Sequence, residues 1–361
     1  MARHGFFRSA GMNRVPERRL TVLVPGLFSV LPAVGGDPAP ATALPQTLST
    51  LLARADQAVA GAPGFEARLF GLFGVLPPAE ADLPVAPVTR LADMGVLDRE
   101  WWVRADPVYL EPGHDSLVLH AGLDLTQAEA DALASELNTT LAGDGWLLKA
   151  PRPDRWYLKP PRAARIRTTA LSAAVGRDVH ALLPGGAENR AWRTRLSELQ
   201  ILLHTSSVNA AREARGRWPA NSVWFWGGGR LPQLGAVDWT RVWSNEPLAL
   251  GLARLAGLPA APRPGDAQMW LDQAGTASDC CLLVLDQLAT LQLQGDVHGW
   301  QPALRRLDSD WIAPLMAGVH AGRLASLTVL SDTGPVFRYR RAHRWRFWRR
   351  RIAIPGLQEA A

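Results

Sequence analysis

The chain reads as an α/β protein: an open, mostly parallel sheet interrupted by an inserted α+β domain. Three observations predict this. Apolar runs of strand length recur far apart in the chain and stop at a breaker or an aspartate: LTVLV at 20–24, CLLVLD at 281–286 and SLTVLSD at 326–332. Stretches with helical spacing of apolar residues lie between them, at 41–60 and 300–319. From residue 101 to 162 the texture changes to two strand-like pairs around a single helix.

Arg18-Arg19 before the apolar run 20–36 has the outline of a secretory signal. Pro25-Gly26 and Pro32 interrupt it, and only five apolar residues precede Pro25, so a buried first strand is the expectation. Met12 offers a second start, and residues 1–19 are expected to form a flexible extension. Leu44, Leu48, Leu51, Leu52 and Val59 then lie near helical spacing. The Pro- and Gly-rich stretch 61–99 ends in a short helix near TRLADMGVLD. WVRADPVYLEP and DSLVLHAGL read as strands joined at Pro112-Gly113. Thr126, with Glu129 three residues on, opens a helix with a capping box. WLLKAP and RWYLKPP complete the β-β-α-β-β block, and 188–215 is helical. NSVWFWGGGRLP follows as an apolar strand ending in Gly227–Gly229, read here as part of the parallel sheet.

Composition narrows the function classes. The 361 residues are 47% hydrophobic and 20% charged, which is ordinary for a globular chain. Lys and Arg total 39 against 33 Asp and Glu, but residues 338–351, RYRRAHRWRFWRRR, hold eight Arg and no acid. Outside 338–361 the balance is 31 to 32, so a wholly basic nucleic-acid-binding surface is excluded. Only Lys149 and Lys159 are lysines. The two cysteines, Cys280 and Cys281, are adjacent on a strand and face opposite ways. No disulfide is therefore expected, and a reducing, cytoplasmic location fits. No run approaches the length of a membrane-spanning helix.

In open α/β sheets ligands lie at the carboxyl ends of the strands. Pro25-Gly26, Gly227–Gly229, Asp286 and Asp332 stand at those ends. The triple glycine matches neither a dinucleotide nor a Walker pattern; Gly228 serves either a tight turn or the approach of an anion to backbone N–H groups. Asp286 and Asp332 are either hard ligands for a divalent cation or caps of the next element. Asp296 and His298 form a carboxylate–imidazole pair two positions apart in a Gly-containing loop, either a metal site or a solvated loop. Asn209 and Arg212 on a helix, with Asn221 beyond it, either grip a phosphate or carboxylate or tie helix to strand. No HExxH or GxSxG motif occurs among the eight histidines and the serines. The tail either uses Trp345, Phe347 and Trp348 against nucleic acid or a membrane surface, or docks them on the core while its arginines stay solvated; docking is the expectation.

The order of WVRADPVYLEP, PDRWYLKPP, LSELQILLHTSSVNAAREARG and NSVWFWGGGRLP resembles the RpfE-type bacterial regulatory protein family. More distantly, the chain is similar to cofactor-independent, archaeal-type phosphoglycerate mutases of the alkaline phosphatase superfamily. The resemblance implies an alkaline-phosphatase-like core at 20–100 and 215–337, an inserted domain with its connecting helix at 101–214, and the tail at 338–361. It also implies a site with two divalent ions held by Asp and His. Here Asp286 and Asp332 match that pattern, but Pro25 replaces the first-strand aspartate, and Thr290 and Thr333 stand where histidines belong. The expectation is a catalytically degenerate member with a regulatory or small-anion-sensing role. It would need no cofactor, and its partner would be a phosphorylated small molecule. The alternative is a divergent mutase or phosphatase that uses Mn or Zn.

Overall fold

The computed structural model describes residues 18–28, 44–78, 81–273, 279–293 and 296–349. Most of the expected N-terminal extension and residues 350–361 of the tail lie outside them. Strands are named in chain order: β1 (Arg19–Leu23), β2 (Asp56–Ala58), β3 (Trp102–Pro112), β4 (Leu117–His120), β5 (Leu147–Arg152) and β6 (Arg155–Lys159). They continue with β7 (Ser222–Gly229), β8 (Arg241–Trp243), β9 (Ala260–Ala261), β10 (Cys280–Val284), β11 (Ser326–Leu330) and β12 (Val336–Arg340).

LTVLV is a strand because it is apolar on both faces and ends at Pro25. It becomes the middle of a seven-stranded sheet ordered β2-β12-β11-β1-β10-β8-β9. β1 pairs in parallel with β10 on one side and β11 on the other, residue for residue along its whole length. Such two-sided burial is why these strands read as continuous hydrophobic runs. Leu20 and Val22 join Leu283 and Val329 on one face, under helices Gln46–Arg54 and Val297–Arg306. Leu23, Leu282 and Val284 face the opposite way, under helices Phe65–Leu72, Val85–Met94 and Pro247–Leu255. The predicted helix 300–319 is present as three contiguous pieces, the middle one a π-helical stretch, Leu307–Ile312. Cys281 is buried, Cys280 is half-buried, and both are free thiols.

The β-β-α-β-β block forms a second, antiparallel sheet ordered β4-β3-β6-β5. Thr126 and Glu129 make both bonds of the capping box at the head of helix Gln127–Leu141. That helix and Asn189–His204 close a separate core through Leu133, Leu137, Trp192 and Leu196. The centre of the sheet carries a buried ion pair. Arg104 donates from Nε and Nη2 to Asp106 Oδ1 at 2.9 and 2.7 Å, and Trp226 Nε1 donates to Asp106 Oδ2 at 2.7 Å.

Two expectations are corrected. NSVWFWGGG is not a strand of the parallel sheet: β7 pairs antiparallel with β3 from Ser222 to Gly229, so the chain does not return to the parallel core at 215. Its apolar run packs between the block and the helices over the main sheet, which needs as much apolar surface as a central parallel strand. The late parallel strand at that point is instead β8, only three residues long.

The tail is corrected as well. Trp345, Phe347 and Trp348 do not dock: they are 62%, 75% and 66% exposed. Two of its arginines dock instead, while Arg338, Arg340 and Arg341 are exposed. Arg346 Nη1 donates to Arg54 O (3.0 Å) and Asp56 Oδ1 (2.6 Å), and Arg349 Nη1 donates to Ala55 O (2.9 Å). The physical reason is the exposed C-terminus of helix Gln46–Arg54, whose last carbonyls lack intrahelical donors and sit at the negative end of the helix dipole.

Candidate functional site

The carboxyl ends of β8, β9 and β10 open onto a crevice of about 440 Å³. Its polar lining comes from Asn245 after β8, Arg263 after β9, Asp286 after β10, and Thr290, Arg306 and Asp310 from the helices that follow. Val24, Leu285 and Trp311 supply apolar wall. Asn245 Oδ1 accepts the Arg263 backbone N–H at 3.1 Å, fixing the Pro-rich loop that carries Arg263. The guanidinium approaches Asp286 no closer than 3.9 Å, from Nε to Oδ1. Arg263 Nε is buried without a hydrogen-bond partner, a costly condition for a cationic donor.

Four carboxylates cross the strand ends. Glu246 caps helix Pro247–Leu255, accepting the Ala249 N–H at 2.8 Å. Burial pushes its carboxyl up from 4.5 to about 7, and the charges of Asp286 and Glu66 push the same way. Burial also raises Glu66, with Asp332 adding repulsion. Glu246 does not itself line the crevice; its carboxylate is engaged in the helix cap.

Asp286 lines the crevice, as a strand-end residue should. Asp332 is at the matching position on β11, but its Oδ1 accepts the Gly26 N–H (2.8 Å) and the Ser331 hydroxyl (2.6 Å). It therefore ties the Pro25-Gly26 turn to β11. Gly26 is required there: its φ is +82°, and a Cβ would sit 3.1 Å from Ala289 N. Asp296 is the N-cap of helix Val297–Arg306, bonded to the Gly299 N–H at 2.8 Å; neither it nor His298 lines the crevice.

The remaining sequence candidates lie in the inserted block, and their polar groups are engaged by main chain. Asn209 Nδ2 donates to Leu203 O and Ala220 O, while its Oδ1 accepts the Ala220 N–H, all within 3.0 Å. Arg212 is fully buried, donating to Trp218 O, Leu123 O and Glu129. Asn221 pairs with both backbone groups of Leu110. Gly228 lies under Trp101, where a Cβ would be 2.6 Å from the ring. These are ties and close approaches of the kind left open above, away from the crevice.

Sequence reasoning missed Asn245, Glu246, Arg263 and Arg306. The available signal was Ser-Asn-Glu-Pro directly after RVW, a helix start at a strand end. Its strand was too short to register.

The donors do not fit the two-ion site that the resemblance implied. Among the described residues, no three His, Cys, Asp or Glu side chains form a group able to hold a metal ion. Asp286 has a guanidinium as its near neighbour, Asp332 is committed to a turn, and Pro25, Thr290 and Thr333 bring no carboxylate or imidazole.

Comparisons with known proteins bear on the fold. The chain is 36% identical over 59 residues to a 2,3-bisphosphoglycerate-independent phosphoglycerate mutase of Methanosarcina barkeri; the match spans 16% of this chain and 15% of that protein. Among solved structures, it is similar to the PH0037 protein from Pyrococcus horikoshii, with a TM-score of 0.52 at 15% identity, covering 90% of this chain and 87% of that one. The likeness is one of fold. A cofactor-independent phosphoglycerate mutase from Thermoplasma acidophilum aligns over 90% of both chains at 15% identity and a TM-score of 0.39. No family model matches the sequence.

Proposed function

We propose that this is a catalytically degenerate, phosphoglycerate-mutase-like protein that binds a small phosphorylated anion in the strand-end crevice. The role is one of sensing or regulation, as the RpfE-type resemblance implies. The observation that carries the reading is Arg263. Its Nε is buried and lacks a hydrogen-bond partner, and its side chain lines a crevice that also holds Arg306 and Asn245. A phosphate oxygen meets the needs of such a guanidinium, and carboxyl strand ends are where this architecture takes ligands. Glu246, raised chiefly by burial and further by the charge of Asp286, adds less negative charge near the crevice than an ordinary carboxylate would. The donor set around Asp286 and Asp332 supports degeneracy, and the 59-residue likeness to a phosphoglycerate mutase supports the ligand class.

Calorimetric titration with 3-phosphoglycerate and with inorganic phosphate tests this. The expected result is saturable binding, about tenfold weaker in Arg263→Gln. No interconversion of 3- and 2-phosphoglycerate is expected with added Mn²⁺ or Zn²⁺. Binding untouched by Arg263→Gln sinks the anion site. Metal-dependent interconversion lost in Asp286→Asn and Asp332→Asn sinks degeneracy and establishes the enzyme.

A further inference from the structure

The tail inverts the usual arrangement of charged and apolar side chains. Within residues 341–349, Arg346, Arg349 and His343 reach back to the protein, while Arg341 is exposed. Arg346 and His343 both meet Asp56, Arg349 holds Ala55 O, and the Arg54 guanidinium donates to Arg344 O at 2.9 Å. His343 is buried, its ring edge-on to Tyr339, and Tyr339 in turn bonds His320 at 2.9 Å. This fastening from beneath turns Trp345, Phe347 and Trp348 outward. Three large aromatics bared within four residues form an exposed apolar patch, the kind of surface that marks an interaction site.

The patch has a charged surround of one sign. Arg338 and Arg340 are the outward residues of β12, and Arg341 is exposed beside them. The sequence from 338 to 351 has no acid. Asp56, a nearby carboxylate, is paired with Arg346. Arg344 lies over the Trp345 ring at 4.7 Å, placing a cation at the aromatic rim.

We propose that this patch docks the protein on an anionic lipid surface, with Trp345, Phe347 and Trp348 entering the headgroup region and Arg338, Arg340 and Arg341 pairing with lipid phosphates. Indole and phenyl rings favour the boundary between water and acyl chains, and each nearby arginine adds electrostatic attraction to an anionic leaflet. Two observations favour lipid over nucleic acid. The Phe347 and Trp348 rings stand at 80° to each other, so they offer no parallel faces for successive bases. Outside 338–361 the chain holds 31 basic against 32 acidic residues, so its net charge adds little attraction to a long phosphate backbone.

Co-sedimentation of the full chain is measured with phosphatidylcholine vesicles, with vesicles of phosphatidylcholine and phosphatidylserine, and with a mixed-sequence single-stranded oligonucleotide in place of lipid. Point variants are required, because deleting 338–361 would remove most of β12, which pairs with both β11 and β2. The expected result is binding to the anionic vesicles alone, weakened by salt. Trp345→Ser/Phe347→Ser/Trp348→Ser should lower it by at least about tenfold, with an unchanged melting temperature because all three side chains are solvent-facing. Arg338→Gln/Arg340→Gln/Arg341→Gln should lower it and flatten the salt dependence. Absence of anionic-vesicle binding, or equal binding by the aromatic variant, overturns the proposal. So does oligonucleotide binding that the aromatic variant abolishes.

Discussion

Glu246 makes the protein's stability depend on pH in a direction opposite to ordinary acid unfolding. Its carboxyl is raised from 4.5 to about 7, chiefly by burial and secondarily by the charges of Asp286 and Glu66. The folded state therefore holds a proton that the unfolded chain releases between those two values. Stability from this group is complete below 4.5 and is lost as pH climbs through about 7. At 1.36 kcal/mol per pH unit, the displacement corresponds to at most about 3 kcal/mol. Glu246→Gln keeps the acceptor for the Ala249 N–H but has no proton to lose. Urea unfolding of both proteins, followed by circular dichroism in steps from pH 4.5 to 7.5, isolates the effect. The wild-type advantage should shrink by up to about 3 kcal/mol across that window. Glu66 and Asp82, also raised, act in the same sense; Asp56, Asp93 and Glu129, lowered by their partners, act in the opposite one. Those not coupled to Glu246 cancel in the difference between wild type and variant, and Glu66 enters it only through its smaller effect on Glu246. Asp286→Asn should reduce the effect without abolishing it, since burial is the larger cause. Stability curves that run parallel for wild type and Glu246→Gln would refute the reasoning.

Three further outcomes are expected. Asp106→Ala leaves Arg104 and the Trp226 indole N–H buried without their acceptor, and should cost about 3–5 kcal/mol by urea unfolding. Gly251→Ala would place a Cβ 2.1 Å from Val88 O, where helices Val85–Met94 and Pro247–Leu255 touch; a loss of about 3 kcal/mol or more, or failure to fold, should show in thermal melts. Asn209→Ala removes three internal hydrogen bonds and should cost about 2 kcal/mol while leaving phosphate affinity unchanged, separating its structural work from ligand binding.

The reach of sequence reasoning followed the range of the interactions. Where one segment's own pattern decides its state, the expectation and the structure agree. LTVLV is a strand because nothing but two-sided burial suits it, Thr126 and Glu129 cap their helix from three residues apart, and 300–319 stays helical through its π-helical middle. Where the deciding partner is remote, a segment's own pattern does not name it. Asp308 caps helix Gln46–Arg54 from another element, bonding the Leu48 N–H at 2.7 Å in place of the Pro45 that precedes the helix. β7 carries enough apolar surface for either sheet, so its hydropathy could not name β3 as its neighbour.

The candidate site divides in the same way. Asp286 and Asp332 were legible as strand ends, because a polar residue after a buried parallel strand marks the rim of the sheet. Their unlike duties were not, since Arg263 and Gly26 reach them from 23 and 306 positions away. Arg263 itself sits in a Pro-rich loop with no local pattern to single it out.

Taken alone, the sequence determined the α/β class, the position of the antiparallel block and the concentration of arginine in the tail, because hydrophobic period, turn residues and charge are local properties. Only the tertiary structure decided which sheet β7 enters, which carboxylate faces the crevice, and that the tail turns Arg346 and Arg349 inward and its three aromatics out. Those outcomes depend on which carbonyls, carboxylates and apolar faces remain unsatisfied once the rest of the chain has packed.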